Sequence, residues 1–225
     1  TIDTTAPSIT VTSLITNDTT PALNGTVNDN AATISITVDS QTVTATNNGD
    51  GTWTLADNLL TTALAEGTYD VAASATDTAG NTGTDGTTDE LTIDTAVPTL
   101  TISAPGEARG PFTATFTFSE IVTGFALADI TVGNGTASDF AGTDDVYTAI
   151  ITPTEHGTVT LDVAAAVAID GAGNDNAAAD QVSVNYIDEN YVQQRTSRII
   201  SNFMTRRGDA IVSNQPDLPE PPHQI

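Results

Sequence analysis

The chain has 225 residues, of which 29 are acidic and 5 basic, giving a formal net charge of −24. A body this acidic repels nucleic acid and anionic membrane and attracts cations. There is no cysteine, which excludes a disulfide framework and thiol chemistry, and no run of about 18 apolar residues that would cross a membrane as a helix.

The charge is unevenly placed. All acidic residues except Asp209, Asp217 and Glu220 precede residue 191, and Arg109 is the one basic residue in that stretch. The other arginines fall between Arg195 and Arg207, and there is no lysine. The same acidity also describes a coat that keeps a secreted protein soluble. Aromatic residues make up only 5% of the chain, so its cores must be built from Val, Ile, Leu and Ala. Such thin cores gain from bound ions or neighbouring domains.

One phrase occurs twice. Residues 2–7 read Ile-Asp-Thr-Thr-Ala-Pro, and residues 93–98 read Ile-Asp-Thr-Ala-Val-Pro. A second phrase keeps nearly the same spacing: Asp77-Thr78-Ala79-Gly80-Asn81 returns as Asp170-Gly171-Ala172-Gly173-Asn174. Two phrases repeating together imply two copies of one module, each of about 90–95 residues, a common size for a β-sandwich. Each Asp-Thr-x-x-Pro reads as a linker between β-domains, and each Asp-x-Ala-Gly-Asn as a loop that the linker aspartate meets. Position 1 falls inside a repeat phrase and no signal peptide is visible, so the sequence reads as a piece of a longer protein.

Module 1, residues 1–94, reads as short strands. Thr and β-branched residues alternate in Ser8–Val11, Ile34–Val38 and Thr42–Thr44. Turn residues punctuate them at Asn17-Asp18, Asn24-Gly25, Asn28-Asp29-Asn30 and Asn47–Gly51. The last of these joins two strands as a hairpin and presents Trp53 to the core. Leu64–Tyr69 has the form of a tyrosine corner, in which a Tyr at the start of the penultimate strand bonds back to backbone. A strand from Tyr69 to Thr76 then leads to the Asp77 loop, and a last strand from Glu90 to Ile93 leads into Asp94. Module 2, residues 95–188, repeats the plan. Phe112, Phe116 and Phe118 share one face of an alternating strand. Ile130–Val132, Val146–Ile150, Val159–Val163 and Val182–Val184 are further strands, and Ala164–Ala168 is either a helical turn or a continued strand. From residue 189 the pattern changes. Tyr191, Val192, Ile199, Ile200, Phe203, Met204, Ile211 and Val212 recur at helical spacing, which predicts an amphipathic helix over 189–214 with a weak point at Gly208. Prolines then leave 215–225 extended or disordered.

With the linker and loop phrases in view, both modules resemble bacterial immunoglobulin-like (Big) repeats of large surface adhesins. In module 2, Phe118-Ser119-Glu120, Thr123-Gly124-Phe125, Asp129-Ile130 and Ile151-Thr152-Pro153 resemble one Big subtype. The resemblance spans 1–187 and implies fold and surface role, not a ligand. The run from Arg195 to Leu218 resembles the linker that precedes the outer-membrane barrel of autotransporters, in which the helix threads the pore and its basic side chains meet an acidic lumen. The barrel itself is not in the sequence.

The candidate chemistry is calcium binding. In an immunoglobulin-type sandwich, Asp3 lies near the Asp77–Asn81 loop and Asp94 near the Asp170–Asn174 loop. Each place gathers carboxylate, amide and backbone oxygens, and calcium takes six to eight of these in flexible geometry. Asp29, within Asn28-Asp29-Asn30, can add a ligand to the first site and Glu120 to the second. The resemblance supports this, because such adhesin repeats bind calcium at linkers. The competing reading needs no metal: Asp3 and Asp94 cap turns ahead of proline, the loop aspartates do the same, and Gly80 and Gly173 supply positive φ. Catalysis finds little support. His156 sits in a turn and His223 in the proline-rich tail, and there is no nucleophile elbow, His-Glu-x-x-His or phosphate-binding loop. Asp144-Asp145 reads as a solvated turn.

The sequence thus predicts an all-β protein: two tandem immunoglobulin-like β-sandwiches, a C-terminal amphipathic α-helix and a short disordered tail. The expected role is a non-enzymatic stalk of an adhesin or autotransporter passenger, stiffened by calcium and supporting adhesion or biofilm formation. It would stand on the surface of a Gram-negative bacterium, anchored at the outer membrane. Expected partners are neighbouring Ig-like repeats, an outer-membrane barrel and a host or matrix receptor, with no nucleic acid. Two alternatives remain: a module that binds carbohydrate or protein directly, and accessory domains of a secreted carbohydrate-active enzyme. The helical stripe has three readings: threading a barrel, packing on module 2, or pairing with other chains.

Overall fold

The computed structural model describes residues 2–213, with side chains through residue 207. Module 1 contains β1 (Ile9–Val11), β2 (Leu14–Thr16), β3 (Leu23–Val27), β4 (Thr33–Val38), β5 (Gln41–Asn47), β6 (Thr52–Leu55), β7 (Gly67–Tyr69), β8 (Ala72–Thr76), β9 (Thr82–Thr84) and β10 (Leu91–Ile93). Alternation in the sequence becomes alternation in burial. Leu23, Gly25 and Val27 of β3 point inward, as do Ile34, Ile36 and Val38 of β4 and Trp53 and Leu55 of β6. The hydrogen-bonded order is β1-β3-β6-β5-β4-β8-β9, beside a smaller sheet β2-β10-β7. β5 pairs with β4 through Gln41–Ala45 and with β6 through Thr46 and Asn47, so the larger ribbon turns over at β5. Its two halves then enclose one core, centred on a fully buried Trp53.

Trp53 explains the glycine at position 25. The indole N–H donates to the Thr10 carbonyl oxygen at 2.9 Å. A Cβ on Gly25 would collide with both the Thr10 carbonyl and the indole nitrogen. The tyrosine corner is present: the Tyr69 hydroxyl donates to the Ala65 carbonyl at 2.9 Å. The strand expected from Tyr69 to Thr76 is instead two strands. β7 pairs with β10, whereas β8 pairs with β4 and β9 in the other sheet. The chain changes sheets at Asp70-Val71, where the Val71 N–H has lost its ladder partner. The buried Glu90 carboxylate accepts it at 3.1 Å. Burial pushes the Glu90 carboxyl up, but hydrogen bonding, the Val71 N–H included, outweighs this and holds it below the usual range.

Module 2 is a sandwich of two four-stranded sheets. One has β11 (Leu100–Ser103), β13 (Phe112–Phe118), β16 (Val146–Pro153) and β15 (Gly135–Thr143) in that order; the other has β12 (Glu107–Ala108), β18 (Val182–Tyr186), β17 (Gly157–Val163) and β14 (Ile130–Gly133). Phe125 sits inside, with ring centroids 5.2–5.7 Å from Phe116, Phe118, Phe140 and Tyr147. These rings are spent on packing. Ala164–Ala168 is neither helix nor strand. It is a bend with Ala166 at φ 58°. The buried Asn176 shapes it, accepting from Val167 and Ala168 N–H and donating to the Ala164 and Ala177 carbonyls.

The helix α1 (Glu189–Ser213) forms as the periodicity predicts and runs through Gly208. No described helix is long and apolar enough to cross a membrane. Among the described residues, it meets module 2 through its N-terminal end. The Asp188 carboxylate caps it by accepting from Asn190 N–H at 2.9 Å. Tyr191 stacks on His156 with centroids 4.3 Å apart, and Arg109 lies 3.7 Å from Glu189. Ile199, Ile200, Phe203 and Met204 are all more than half exposed. Of the described stripe, Tyr191 packs on module 2 and the later residues stand mostly in solvent. The tail at 215–225 lies outside the described residues.

Candidate functional site

The Asp-x-Ala-Gly-Asn loop of module 2 is built around one carboxylate. Asp170 Oδ1 accepts from the N–H groups of Ala172, Gly173 and Asn174 at 2.7–2.8 Å, and Oδ2 accepts from Asn174 Nδ2 at 2.8 Å. Gathering three successive N–H groups onto one oxygen bends the chain sharply. Gly173 closes the bend at φ 98°, which a side chain would resist. Burial raises the Asp170 carboxyl, but the bonds from Asn174, Ala172 and Gly173 overcome it and hold the group below its ordinary value. Asp77 does the same in module 1, accepting from Ala79 and Asn81 N–H at 2.8 Å, with Gly80 at φ 91°.

The linker meets this loop as the repeat implied, but through its backbone. Asn174 Nδ2 donates to the Asp94 carbonyl at 2.9 Å, and Asn81 Nδ2 to the Asp3 carbonyl at 3.2 Å. At the junction a second grip comes from module 1. Asn17 N–H donates to the Ala172 carbonyl at 3.0 Å, and Asn17 Nδ2 to the Gly173 carbonyl at 2.9 Å. Thr95 Oγ1 adds a bond to Glu66 at 3.2 Å. Asp170 and Asn174 are thereby buried, whereas Asp77 and Asn81 are half-buried.

Above the loop, Asp94, Glu120 and Asp170 each place a carboxylate oxygen within 4.8 Å of the others. Like charges this close repel one another. Burial, then the charges of Asp170, Asp94 and Glu66, push the Glu120 carboxyl up. The donor set fits a hard divalent cation, which takes carboxylate and carbonyl oxygen. Asp94 Oδ1 accepts from Ala96 N–H at 3.0 Å, so the turn cap occupies one oxygen of this carboxylate. Capping and metal ligation are therefore compatible at Asp94.

The first site converges less. Asp3, Asn28, Asp29 and Asp77 line one shallow hollow, yet they are not among the close three-carboxylate groups of the described residues. Asp3 Oδ1 caps Thr5 N–H at 3.0 Å and Asp29 Oδ1 caps Ala31 N–H at 2.8 Å, as the turn-cap reading expects. Of the candidate ligands, Asp94, Glu120 and Asp170 are brought together with Asn174 beside them, and Asp3, Asp29, Asp77 and Asn81 form a looser counterpart. Asn17 and Glu66 were not anticipated. Asn17 reads locally as turn punctuation, and its partner lies 156 residues away in sequence.

Two family profiles cover the sandwiches. Residues 1–95 match one bacterial Ig-like domain (Big_13) and residues 94–186 another (Big_12). No curated protein is significantly similar to the chain. Among solved structures, the chain resembles fibronectin(III)-like modules of Clostridium thermocellum CbhA at 17% identity, over 80% of this chain and 93% of that one, with a TM-score of 0.39. It resembles a tetra-tandem repeat in the extending region of a large adhesion protein at 24% identity, over 81% of this chain and 50% of that one, with a TM-score of 0.31. It resembles invasin, a bacterial integrin-binding protein, at 16% identity, over 82% of this chain and 40% of that one, also with a TM-score of 0.31. The chain therefore spans half or less of the last two.

Proposed function

The chain belongs to the bacterial Ig-like domain family, with two members in tandem, and on that premise we propose that it is a non-catalytic stalk segment of a bacterial surface adhesin. The observation that supports this best is the hydrogen-bonded junction. Asn17 grips the Ala172 and Gly173 carbonyls while Asn174 grips the linker carbonyl of Asp94. Bonds from both sides of a linker resist bending, and stiffness is what a spacer contributes to a distal adhesive tip. Adhesion to a host or matrix receptor, or within a biofilm, is the role such a spacer would serve. Sparse cores and a −24 charge fit extracellular modules held by neighbours and ions better than an independent enzyme domain.

Calcium is the proposed stiffening ion, held by Asp94, Glu120 and Asp170 with Asn174 able to contribute an amide oxygen. A bound dication supplies charge neutralisation, so the repulsion that raises Glu120 becomes attraction. The test is a thermal melt in calcium and in EDTA for the parent, Asp94→Asn and Glu120→Gln. At a hundredfold excess over Kd, binding adds about 2.7 kcal/mol, roughly 10–20 °C for a domain this size. Both variants should lose part of that gain. Glu120→Gln should also melt no lower than the parent in EDTA, because it removes a repelled charge. Its sign is distinctive: with its pKa raised in the fold, Glu120 weakens the metal-free protein above the ordinary carboxylate range and returns that stability as it protonates at lower pH. Superimposed melts in calcium and EDTA would remove the ion from the proposal.

The exposed stripe of α1 is proposed to lead toward an outer-membrane barrel, with Arg195, Arg198 and Arg206 available to an acidic pore. Deleting residues 191–225 should change sandwich stability by less than about 1 kcal/mol and leave the oligomeric state unaltered. A lower melting temperature would return the helix to module 2, and a lost oligomer would assign it to chain pairing.

A further inference from the structure

Where module 2 passes into α1, one side chain holds the helix. Ile187 N–H donates to the Ala108 carbonyl at 2.9 Å and ties the chain beyond β18 to β12. Asp188 follows, and its N–H donates to His156 Nδ1 at 3.3 Å. The same imidazole stacks on Tyr191 in the first turn of α1, with centroids 4.3 Å apart and planes inclined by 18°. The turn that carries His156 is itself fixed, because Asn134 brackets it. Asn134 Nδ2 donates to the Glu155 carbonyl at 2.8 Å, and Asn134 Oδ1 accepts from Glu155 N–H at 3.0 Å. The Arg109–Glu189 pair is 3.7 Å apart with both side chains more than half exposed, so it adds little. A rigid turn thus presents one ring that meets the helix at its cap and in its first turn.

We propose that His156 is a proton-sensitive latch that sets the angle between module 2 and α1. Nδ1 accepts from Asp188 N–H only while it carries no proton, so the docked ring is neutral with its hydrogen on Nε2. A second proton turns that acceptor into a donor facing a donor. It also sets a cation against the first turn of a helix, where unpaired N–H groups already carry partial positive charge. The other charged and titratable groups of the elbow are Glu155 in the same turn, Asp188, Glu189, Tyr191 and Arg195 at the start of α1, and Glu107 and Arg109 at β12. The Tyr191 face attracts a cation, but Arg195, bonded to the Tyr191 hydroxyl at 3.1 Å, already supplies one. Arg109 engages both Glu107 and Glu189. Asp188 caps the helix by accepting from Asn190 N–H, so an imidazolium drawn to that carboxylate weakens the cap. The docked helix holds the ring without its second proton and the released helix does not, so lowering the pH favours release. The latch lies at the opposite end of β17 from the Asp170 loop and works apart from the linker carboxylates. Its consequence is a helix angle that is set at neutral pH and freed in mild acid.

The chain has no cysteine, so spin labels placed through Thr131→Cys in module 2 and Asn202→Cys in α1, both exposed positions, meet no competing thiol. Asn202 lies about 20 Å along the helix from Asp188, which turns a small tilt into a large displacement. The distance distribution should be narrow at about pH 7.5 and roughly twice as wide at about pH 5.5, which is still above the ordinary carboxylate pKa. His156→Gln offers an amide oxygen to Asp188 N–H but takes up no proton, so its distribution should be the same at both pH values. His223→Ala leaves His156 as the one histidine. In that background the ring nitrogen shifts should report the Nε2–H tautomer at neutral pH and titrate in step with the widening. Equal widths at both pH values in the parent overturn the proposal, as does an Nδ1–H tautomer at neutral pH. A widening that His156→Gln shares also overturns it and assigns the effect to Glu155, Asp188 or Glu189.

Discussion

Replacing Asp170 by alanine is expected to lower the stability of module 2 by about 3 kcal/mol, since a buried charged acceptor is lost and N–H groups are left without partners. Its two oxygens serve Ala172, Gly173, Asn174 and the Asn174 side chain, and it is 6% exposed. Differential scanning calorimetry should resolve the effect, with module 1 melting near its parent temperature. Asp170→Asn separates two roles that alanine removes together. Its Oδ1 can still accept the three backbone N–H groups, so the bend survives. The other position becomes an amide N–H facing Asn174 Nδ2, donor against donor. Asn174 can escape only by turning its amide away from the Asp94 carbonyl. The asparagine variant should therefore keep much of the module's stability and lose junction rigidity, read as a broader distribution of distances between spin labels on the two modules. An alanine-like loss of stability in Asp170→Asn would mean the carboxylate charge, and not the bend, carries the loop.

The pH dependence follows from the same geometry. Asp170 is depressed in the fold, so its contribution is fully present above the ordinary carboxylate pKa of about 3.9 and is lost as pH falls through the lower folded value. Glu120, raised by burial and by Asp170, Asp94 and Glu66, works in the opposite direction and at higher pH, between the ordinary carboxylate value and its raised folded one. Without calcium, the parent should gain stability first as Glu120 protonates and lose module 2 only at lower pH. Glu120→Gln, which keeps only the Asp170 contribution, should start higher and fall more steeply.

What could be read from the sequence was local or repeated. Trp53 announced itself as the single large residue after an Asn-Gly turn, and it is fully buried. Tyr69 two residues after Gly67 signalled the corner, and Gly80 and Gly173 signalled positive φ. The pairing of linker with loop is legible in two phrases recurring in step, which point to Asp94 and Asp170. The break at Asp70-Val71 was hidden because residues 69–76 alternate without interruption; the change of sheet is fixed by a carboxylate from Glu90, just ahead of β10. Asn176 shapes the bend at Ala164–Ala168 from across a loop, so a run of alanines could not disclose its own conformation. Asn17, Arg109 and His156 are alike in this respect. Each is unremarkable among its neighbours in sequence and acquires a role only when β2, β12 or β17 places it at the end of a sandwich.

Trp53→Ala is expected to have the larger effect on module 1, about 4 kcal/mol, the usual cost of emptying a large aromatic site in a core. Two features push it toward the upper end. The indole bond to Thr10 is lost, and β3 is committed to glycine at position 25, so no side chain there can move in to fill the space. The neighbours that remain, largely Val, Ile, Leu and Ala, are too short to collapse across it. The informative readout is module 2. If the modules are coupled only by chain connectivity, its transition stays where it was. If Asn17 holds the Asp170 loop as the junction geometry implies, unfolding module 1 releases the Ala172 and Gly173 carbonyls and lowers the second transition by about 1–2 kcal/mol, the worth of a pair of hydrogen bonds. In a tandem array each module then carries a nearest-neighbour contribution as well as its own stability. Asn17→Ala should reproduce that second shift while leaving module 1 folded, and a second transition unmoved in both variants would reduce the junction to a tether.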